Sequence, residues 1–232
     1  MEPKPLKQSE ASQDRLIEAE CWVFDLDNTL YPASCDLFAQ VDRKMTTYIA
    51  EYLDVDFEHA GDIRKIYYRD HGTTMSGMMA LHDMKPAGFL DYVHDIDLTV
   101  VPPDPDLDQA LSNLSGRKII FTNGPTEYAE RVLDRLSVRH HFEAIFDIIG
   151  ADYIPKPMPG PYDVLVDRYR LKPEETVMAE DLVRNLKPAE ALGMTTVWVR
   201  SDSNLNDNEP VQDDIHHVVD DLTHWLGALA SQ

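Results

Sequence analysis

Two aspartates, Asp25 and Asp27, close an apolar run in the stretch CWVFDLDNTLYP, Cys21 to Pro32. The run reads as a buried strand, and alternation along an extended chain turns both carboxylates to the same side. Three further places carry polar groups at or near the end of an apolar run: Thr122 and Asn123 after KIIF, Lys156 in YIPKPMPGPYD, and Glu180 with Asp181 after TVMA. In an open α/β sheet the crevice lies beyond the carboxyl ends of the strands, so these residues are expected to meet there. Four carboxylates at one point repel each other, and the usual remedy is a hard divalent cation with oxygen ligands, for which magnesium is the natural choice. Thr122 offers a hydroxyl donor, Lys156 a point charge, and TNGPTEY opens a helix whose free N–H groups suit an anion. Together they predict a phosphate held between metal and lysine. One carboxylate of the Asp25/Asp27 pair then attacks phosphorus to form an aspartyl-phosphate. The other protonates the leaving alkoxide and later activates water.

Taken alone, Asp25-x-Asp27-x-Thr29 also fits a calcium loop, with Asp36 at the twelfth position. Leu30 stands where that loop needs glycine, and a strand rather than a helix precedes it, which sets the calcium reading aside.

The elements that would carry these residues are legible in the pattern. From Leu37 to about Phe89 the periodicity is helical, and LFAQVDRKMTTYIAEYL places Leu37, Val41, Met45, Tyr48, Ile49 and Tyr52 along one face. Helices are also expected in DIRKIYYRDHG, MSGMMALHDM and AGFLDYVHDI. VVPPDPD, with three prolines in seven residues, reads as a linker. Beyond it strands in RKIIFTN, AIFDIIG, ETVMAED, TTVWVR and DIHHVV alternate with helices in PDLDQALSNL, TEYAERVLDRL, PYDVLVDRYRL and NLKPAEALG. Such alternation argues for a doubly wound, Rossmann-like parallel sheet. The expected organisation is a mobile tail over 1–16, an α/β core of 17–35 and 104–232, and an inserted all-helical cap of 36–103.

The chain has 232 residues, and its 21 Lys+Arg against 42 Asp+Glu give a net charge of −21. That charge repels nucleic-acid polymers and anionic membranes, while a local cation still admits a small anionic substrate. Two cysteines, Cys21 and Cys35, read as packing residues in a reducing compartment. The polar N-terminal stretch and the lack of a long apolar run predict a soluble, cytoplasmic protein, either monomer or homodimer.

FDLDNTL, FTNG, KPMPGPYD and AEDLVRNL, in this order, resemble the four motifs of haloacid dehalogenase-like phosphohydrolases. The resemblance implies Asp25 as nucleophile and metal ligand, and Asp27 as the acid/base that also gives its backbone carbonyl to magnesium. It implies phosphate binding by Thr122, Asn123 and Lys156, and a metal site completed by Glu180 and Asp181. Glu180-Asp181 stands in place of paired aspartates, and Asn185 where many relatives have a further acid. DLDNTLYP, YYRDHGTT and DYVHDID resemble the pyrimidine 5'-nucleotidase branch, which implies a pyrimidine nucleoside monophosphate as substrate. The alternatives are another small phosphate, such as a sugar phosphate or pyridoxal phosphate, and a non-catalytic phosphate-binding module on the same fold. Arg69, His71, Thr73 and Thr74 are the cap candidates for reading the leaving group; the plain reading of them is a helix end and a solvated turn. Met75, Met78, Met79 and Met84 are expected in the core, and His94 as a structural hydrogen-bonding residue.

Overall fold

The computed structural model describes residues 15–200 and 215–229. Six strands form one sheet: β1 (Cys21–Phe24), β2 (Arg117–Phe121), β3 (Ala144–Phe146), β4 (Thr176–Glu180), β5 (Thr195–Val199) and β6 (His217–Val219). Their order is β3-β2-β1-β4-β5-β6, and every pairing is parallel. The chain builds outward from β1 first through β2 and β3 and then through β4, β5 and β6. The direction of winding therefore reverses beside β1, which opens a crevice at the strand ends there.

All four residues of β1 are buried, as a central parallel strand with helices on both faces requires. Alternation divides them. Trp22 and Phe24 join Ile120 and Ala179 in a cluster with α5 (Pro105–Asn113), α6 (Thr126–Leu136) and α9 (Leu222–Leu229). Cys21 and Val23 join Ile119, Phe121 and Met178 against α7 (Pro159–Tyr169) and α8 (Val183–Ala191) on the opposite face.

Between β1 and β2 stand α1 (Leu37–Leu53), α2 (Phe57–His71), α3 (Thr74–His82) and α4 (Pro86–Val93). They pack around a cluster of their own that includes Val41, Ile49, Met75, Met78, Met84 and Phe89 and takes Ile148 from the sheet side. Met78, Met79 and Met84 are thus core filling, as expected, while Met75 is buried in the same cluster and also lines the cavity at the strand ends. Asp56 and Thr73 cap α2 and α3 by accepting from the amides of His59 and Ser76. The architecture is a doubly wound parallel sheet with a helical insertion after the first strand.

Some expectations change in detail. Tyr52, placed on the buried stripe of α1, is 45% exposed: it lies in the last turn, stacked on Tyr48 with its hydroxyl donating to His82 O. The helix sought in NLKPAEALG begins earlier, at Val183, and the last strand begins at His217. The proline-rich linker is packed at both ends: Val101 is fully buried, and Pro105 opens α5 with Asp104 as its cap. The tail expected over 1–16 lies outside the described residues up to position 14, but Leu16 is buried in the first cluster. Among the described residues, no helix is long and apolar enough to cross a membrane.

Candidate active site

Asp25 is the first residue beyond β1, and its amide still donates to Ala179 O, continuing the ladder with β4. The chain then turns back, with Asn28 in the left-handed region (φ 59°) and the amides of Thr29 and Leu30 both donating to Leu26 O. This turn brings Thr29 Oγ1 to 2.9 Å from Asp25 Oδ2. It also orients Asp27, whose Oδ1 accepts from Tyr31 Oη at 2.5 Å and from Tyr128 Oη of α6 at 2.6 Å. Burial first, and then the charge of Asp27, push both phenols well above their ordinary range, so both remain donors.

Lys156 lies at the centre of the carboxylates. Its Nζ is 2.7 Å from Asp25 Oδ1, 2.6 Å from Glu180 Oε2 and 2.8 Å from Phe121 O, which uses all three ammonium protons. Its side chain is 1% exposed. Burial opposes the lysine's charge, but Asp25 and Glu180 outweigh it and raise its pKa. Asp25 is pushed up to about 7, chiefly by burial and then by the Glu180 charge, against the pull of Lys156. Glu180 is held below the usual range, because Lys156 and hydrogen bonds from neighbouring groups overcome its burial. One cation between two buried acids thus favours ionisation of Glu180 over that of Asp25.

Asp25, Glu180 and Asp181 each offer an oxygen within 4.8 Å of the others. Asn185 Oδ1, which lines the same cavity, is buried and has no protein partner. An all-oxygen set rich in carboxylates, with a spare buried amide oxygen at its margin, fits a hard divalent cation such as magnesium. Asp27 lines the cavity beside this set.

The other expected phosphate ligands differ in their surroundings. Asn123 grips the backbone of Lys156, accepting from its amide at 2.8 Å and donating to its carbonyl at 3.3 Å. Thr122 is buried, and its Oγ1 accepts from Gly124 N at 2.9 Å, which leaves the hydroxyl proton free to donate elsewhere.

The cavity measures about 500 Å³ and is walled on one side by the strand ends and on the other by the helical insert. Of the cap candidates, Thr73 and Thr74 line it, with Thr74 also bonded to Arg64 O. Arg69 and His71 do not. Arg69 is exposed and paired with Asp70, while His71 packs edge-on to Tyr67. For Arg69 the reason is helical phase, since it lies five positions after Arg64, about 140° around the axis; His71, seven positions on, is nearly in phase with Arg64 but about 10 Å further along, at the end of α2. Arg64, Lys65 and Tyr68, spaced i, i+1 and i+4, take the cavity face instead. From the core, Arg184 at the start of α8 hydrogen-bonds Tyr68 Oη, with its guanidinium 4.4 Å from the centre of that ring. Arg64 is bonded to Asp42, yet Arg64 Nε and Arg184 Nε are both buried without a protein acceptor. These cations escaped sequence reading; the i, i+4 spacing of Arg64 and Tyr68 was the available signal. His94 also lines the cavity and bonds Leu90 O at 2.8 Å; burial foremost holds it below the usual imidazole range.

A family model for haloacid dehalogenase-like hydrolases matches residues 20–193. The chain belongs to this family. A glyceraldehyde 3-phosphate phosphatase of Methanocaldococcus jannaschii is 30% identical over 76% of this chain and 83% of its own. A phosphoglycolate phosphatase of Pseudomonas putida is 26% identical over 90% of this chain and 79% of its own. The solved HAD-hydrolase YfnB of Bacillus subtilis, bound to magnesium, superposes with a TM-score of 0.59 at 16% identity, covering 91% of this chain and 98% of that one. The family and its phosphatase relatives support phosphate-ester hydrolysis. None of these descriptions is of a pyrimidine nucleotidase, so the branch expected from DLDNTLYP and the insert gains no support from them.

Proposed function

We propose that the chain is a magnesium-dependent phosphomonoesterase for a small phosphorylated metabolite, with a sugar phosphate or a similar short-chain phosphate as the leading class. The observation that carries the reading is the buried Lys156 bridging Asp25 and Glu180 beside Asp181, at the floor of a ligand-sized cavity. The substrate class rests on the relatives, two of which are named for glyceraldehyde 3-phosphate and phosphoglycolate.

In this reading Asp25, Glu180 and Asp181 hold the metal, which when bound neutralises charge on the phosphoryl oxygens. Asp25 attacks phosphorus as the ester P–O bond breaks. Asp27 gives its proton to the departing oxygen, then takes one from the water that cleaves the aspartyl-phosphate and so releases inorganic phosphate and restores Asp25. Tyr31 and Tyr128 fix Asp27 through Oδ1 and leave Oδ2 for that proton. Lys156 faces charge developing on the phosphoryl group, while Thr122 stands behind the cavity wall, buried and accepting from Gly124 N. Asn123 works at one remove by fixing the Lys156 backbone. Residues 36–103 serve as a cap over the core of 17–35 and 104–232, excluding water and reading the leaving group.

A second reading, a pyrimidine nucleoside monophosphate as substrate, is favoured by one feature. The cavity is large for a triose phosphate and has an apolar wall of Phe38, Met45, Met75, Phe89 and Leu90, which suits a planar ring. A panel of sugar phosphates, phosphoglycolate and nucleoside monophosphates, assayed for phosphate release with magnesium, separates the two by kcat/KM. A generic aryl phosphate should also be turned over; no hydrolysis of any member overturns the enzymatic reading.

A further inference from the structure

At the sheet edge opposite the cavity, three metal-ligating side chains converge that the phosphatase reading does not use. His140 and His141 occupy the short 3-10 turn Arg139–His141 that feeds β3, and Asp108 lies on α5. His141 Nε2 is 2.7 Å from Asp108 Oδ1, and His140 Nε2 is 3.2 Å from the same oxygen. All three donor atoms lie within 4.8 Å of one another. Ligands of a tetrahedral zinc ion, at about 2.0–2.1 Å from the metal, stand about 3.3 Å apart, so the observed separations need little change to accept one.

The site is partly built. The His141 side chain is 11% exposed, which fixes its ring, and His140 packs against it at a 40° tilt with centroids 4.0 Å apart. His140 is 66% exposed and can swing to meet an ion. The cation on the same turn, Arg139, directs its guanidinium to Phe142 O and Glu130. The α5 turn adds the negative charge of Asp104 and Asp106. Two imidazole nitrogens on one carboxylate oxygen bring three donor atoms of metal-binding type to one point.

We propose that Asp108, His140 and His141 bind a borderline divalent ion of the zinc class. Two imidazoles and a carboxylate select for zinc, cobalt, nickel or copper over magnesium, and three protein ligands leave a position for water. The bound ion would clamp α5 to the turn before β3, and binding to the folded form alone would stabilise it.

The test uses cobalt(II) as probe on the full chain with magnesium in excess. One equivalent should bind with the intense visible bands of a nitrogen-ligated, near-tetrahedral ion. His140→Ala, whose exposed ring carries little packing, and Asp108→Asn should each weaken that binding by about tenfold or more, while Asp181→Asn should leave it unchanged. Zinc should raise the Tm of wild type but not of His140→Ala. Equal cobalt affinity in wild type and His140→Ala, or loss of the bands in Asp181→Asn with retention in His140→Ala, overturns the proposal.

Discussion

Lys156 Nζ stands 2.7 Å from Asp25 Oδ1 although 131 residues separate the two in the chain. The contact joins the loop after β3 to the end of β1 and leaves both groups almost wholly inside the protein. Buried pairs of this kind are sensitive to the loss of one member, because the remaining charge has no solvent to turn to.

Lys156→Ala should therefore destabilise the metal-free protein by about 3–5 kcal/mol, since Asp25 and Glu180 then face each other without the ammonium between them. Urea denaturation measures it, and added magnesium should recover part of the loss. A change below about 1 kcal/mol, the scale of an exposed pair, would show that the cluster relaxes freely.

Asp25→Asn should abolish turnover and leave the fold intact, because the amide keeps the shape of the carboxylate without its nucleophilic oxygen. Asp27→Asn should be nearly inactive as well. Retention of more than a few per cent of wild-type rate in Asp25→Asn, with the circular dichroism spectrum unchanged, removes Asp25 as nucleophile. Chelation should silence the wild type, and magnesium should restore it.

Tyr31 and Tyr128 both donate to Asp27 Oδ1, so removing either hydroxyl loosens the orientation of that carboxylate without touching the metal ligands. A hydrogen bond to a charged group contributes about 1.5–3 kcal/mol. Tyr128→Phe should lower kcat by roughly tenfold, the kinetic equivalent of about 1.4 kcal/mol, with KM little changed. A rise in KM at constant kcat would assign the phenol to substrate binding instead.

Burial pushes the Cys21 thiol up to about 11 and also raises that of Cys35, which is less enclosed. Native protein treated with iodoacetamide near pH 8 should take one label, on Cys35, by mass spectrometry. The folded form holds the Cys21 proton more tightly than the unfolded form. Its contribution to stability is therefore complete below about pH 9 and is lost as pH rises through about 11. Rapid native labelling of Cys21 would contradict its burial.

Local pattern made much of this legible. The bounds of α1 and α6 coincide with LFAQVDRKMTTYIAEYL and TEYAERVLDRL because apolar spacing on one face decides both. Asp25, Glu180 and Lys156 are legible because the first follows a strand, the second ends one and the third sits in a loop after one, all at the same end of the sheet. What escaped depends on docking. Tyr128 is 101 residues from Asp27, and no local signal links them. Asn123, expected as a phosphate ligand, lines the cavity, and its grip on the Lys156 backbone has no local signal either. Within α2 the sequence pointed to Arg69 and His71, whereas the angle at which the insert meets the core turns Arg64 and Lys65 to the cavity.

That selection supplies the last prediction. Arg64 and Arg184 reach the cavity from opposite walls, and each keeps a buried Nε without a protein acceptor. An unsatisfied buried donor costs about 1–3 kcal/mol, which an acceptor on a bound substrate can offset. These arginines should therefore read the leaving group. Arg64→Lys keeps the charge beside Asp42 but loses the guanidinium fork, and should lower kcat/KM for the preferred metabolite by about tenfold. Arg184→Lys should act similarly and also remove the stack on Tyr68. A small aryl phosphate, too simple to reach both walls, should be hydrolysed almost as before. Arg69→Ala, exposed and paired with Asp70, should leave both substrates unaffected. Equal losses on the metabolite and the aryl phosphate in Arg64→Lys would mean that the arginine supports the fold or the carboxylate floor rather than the leaving group. A large loss in Arg69→Ala would return the reading of the substrate to the end of α2.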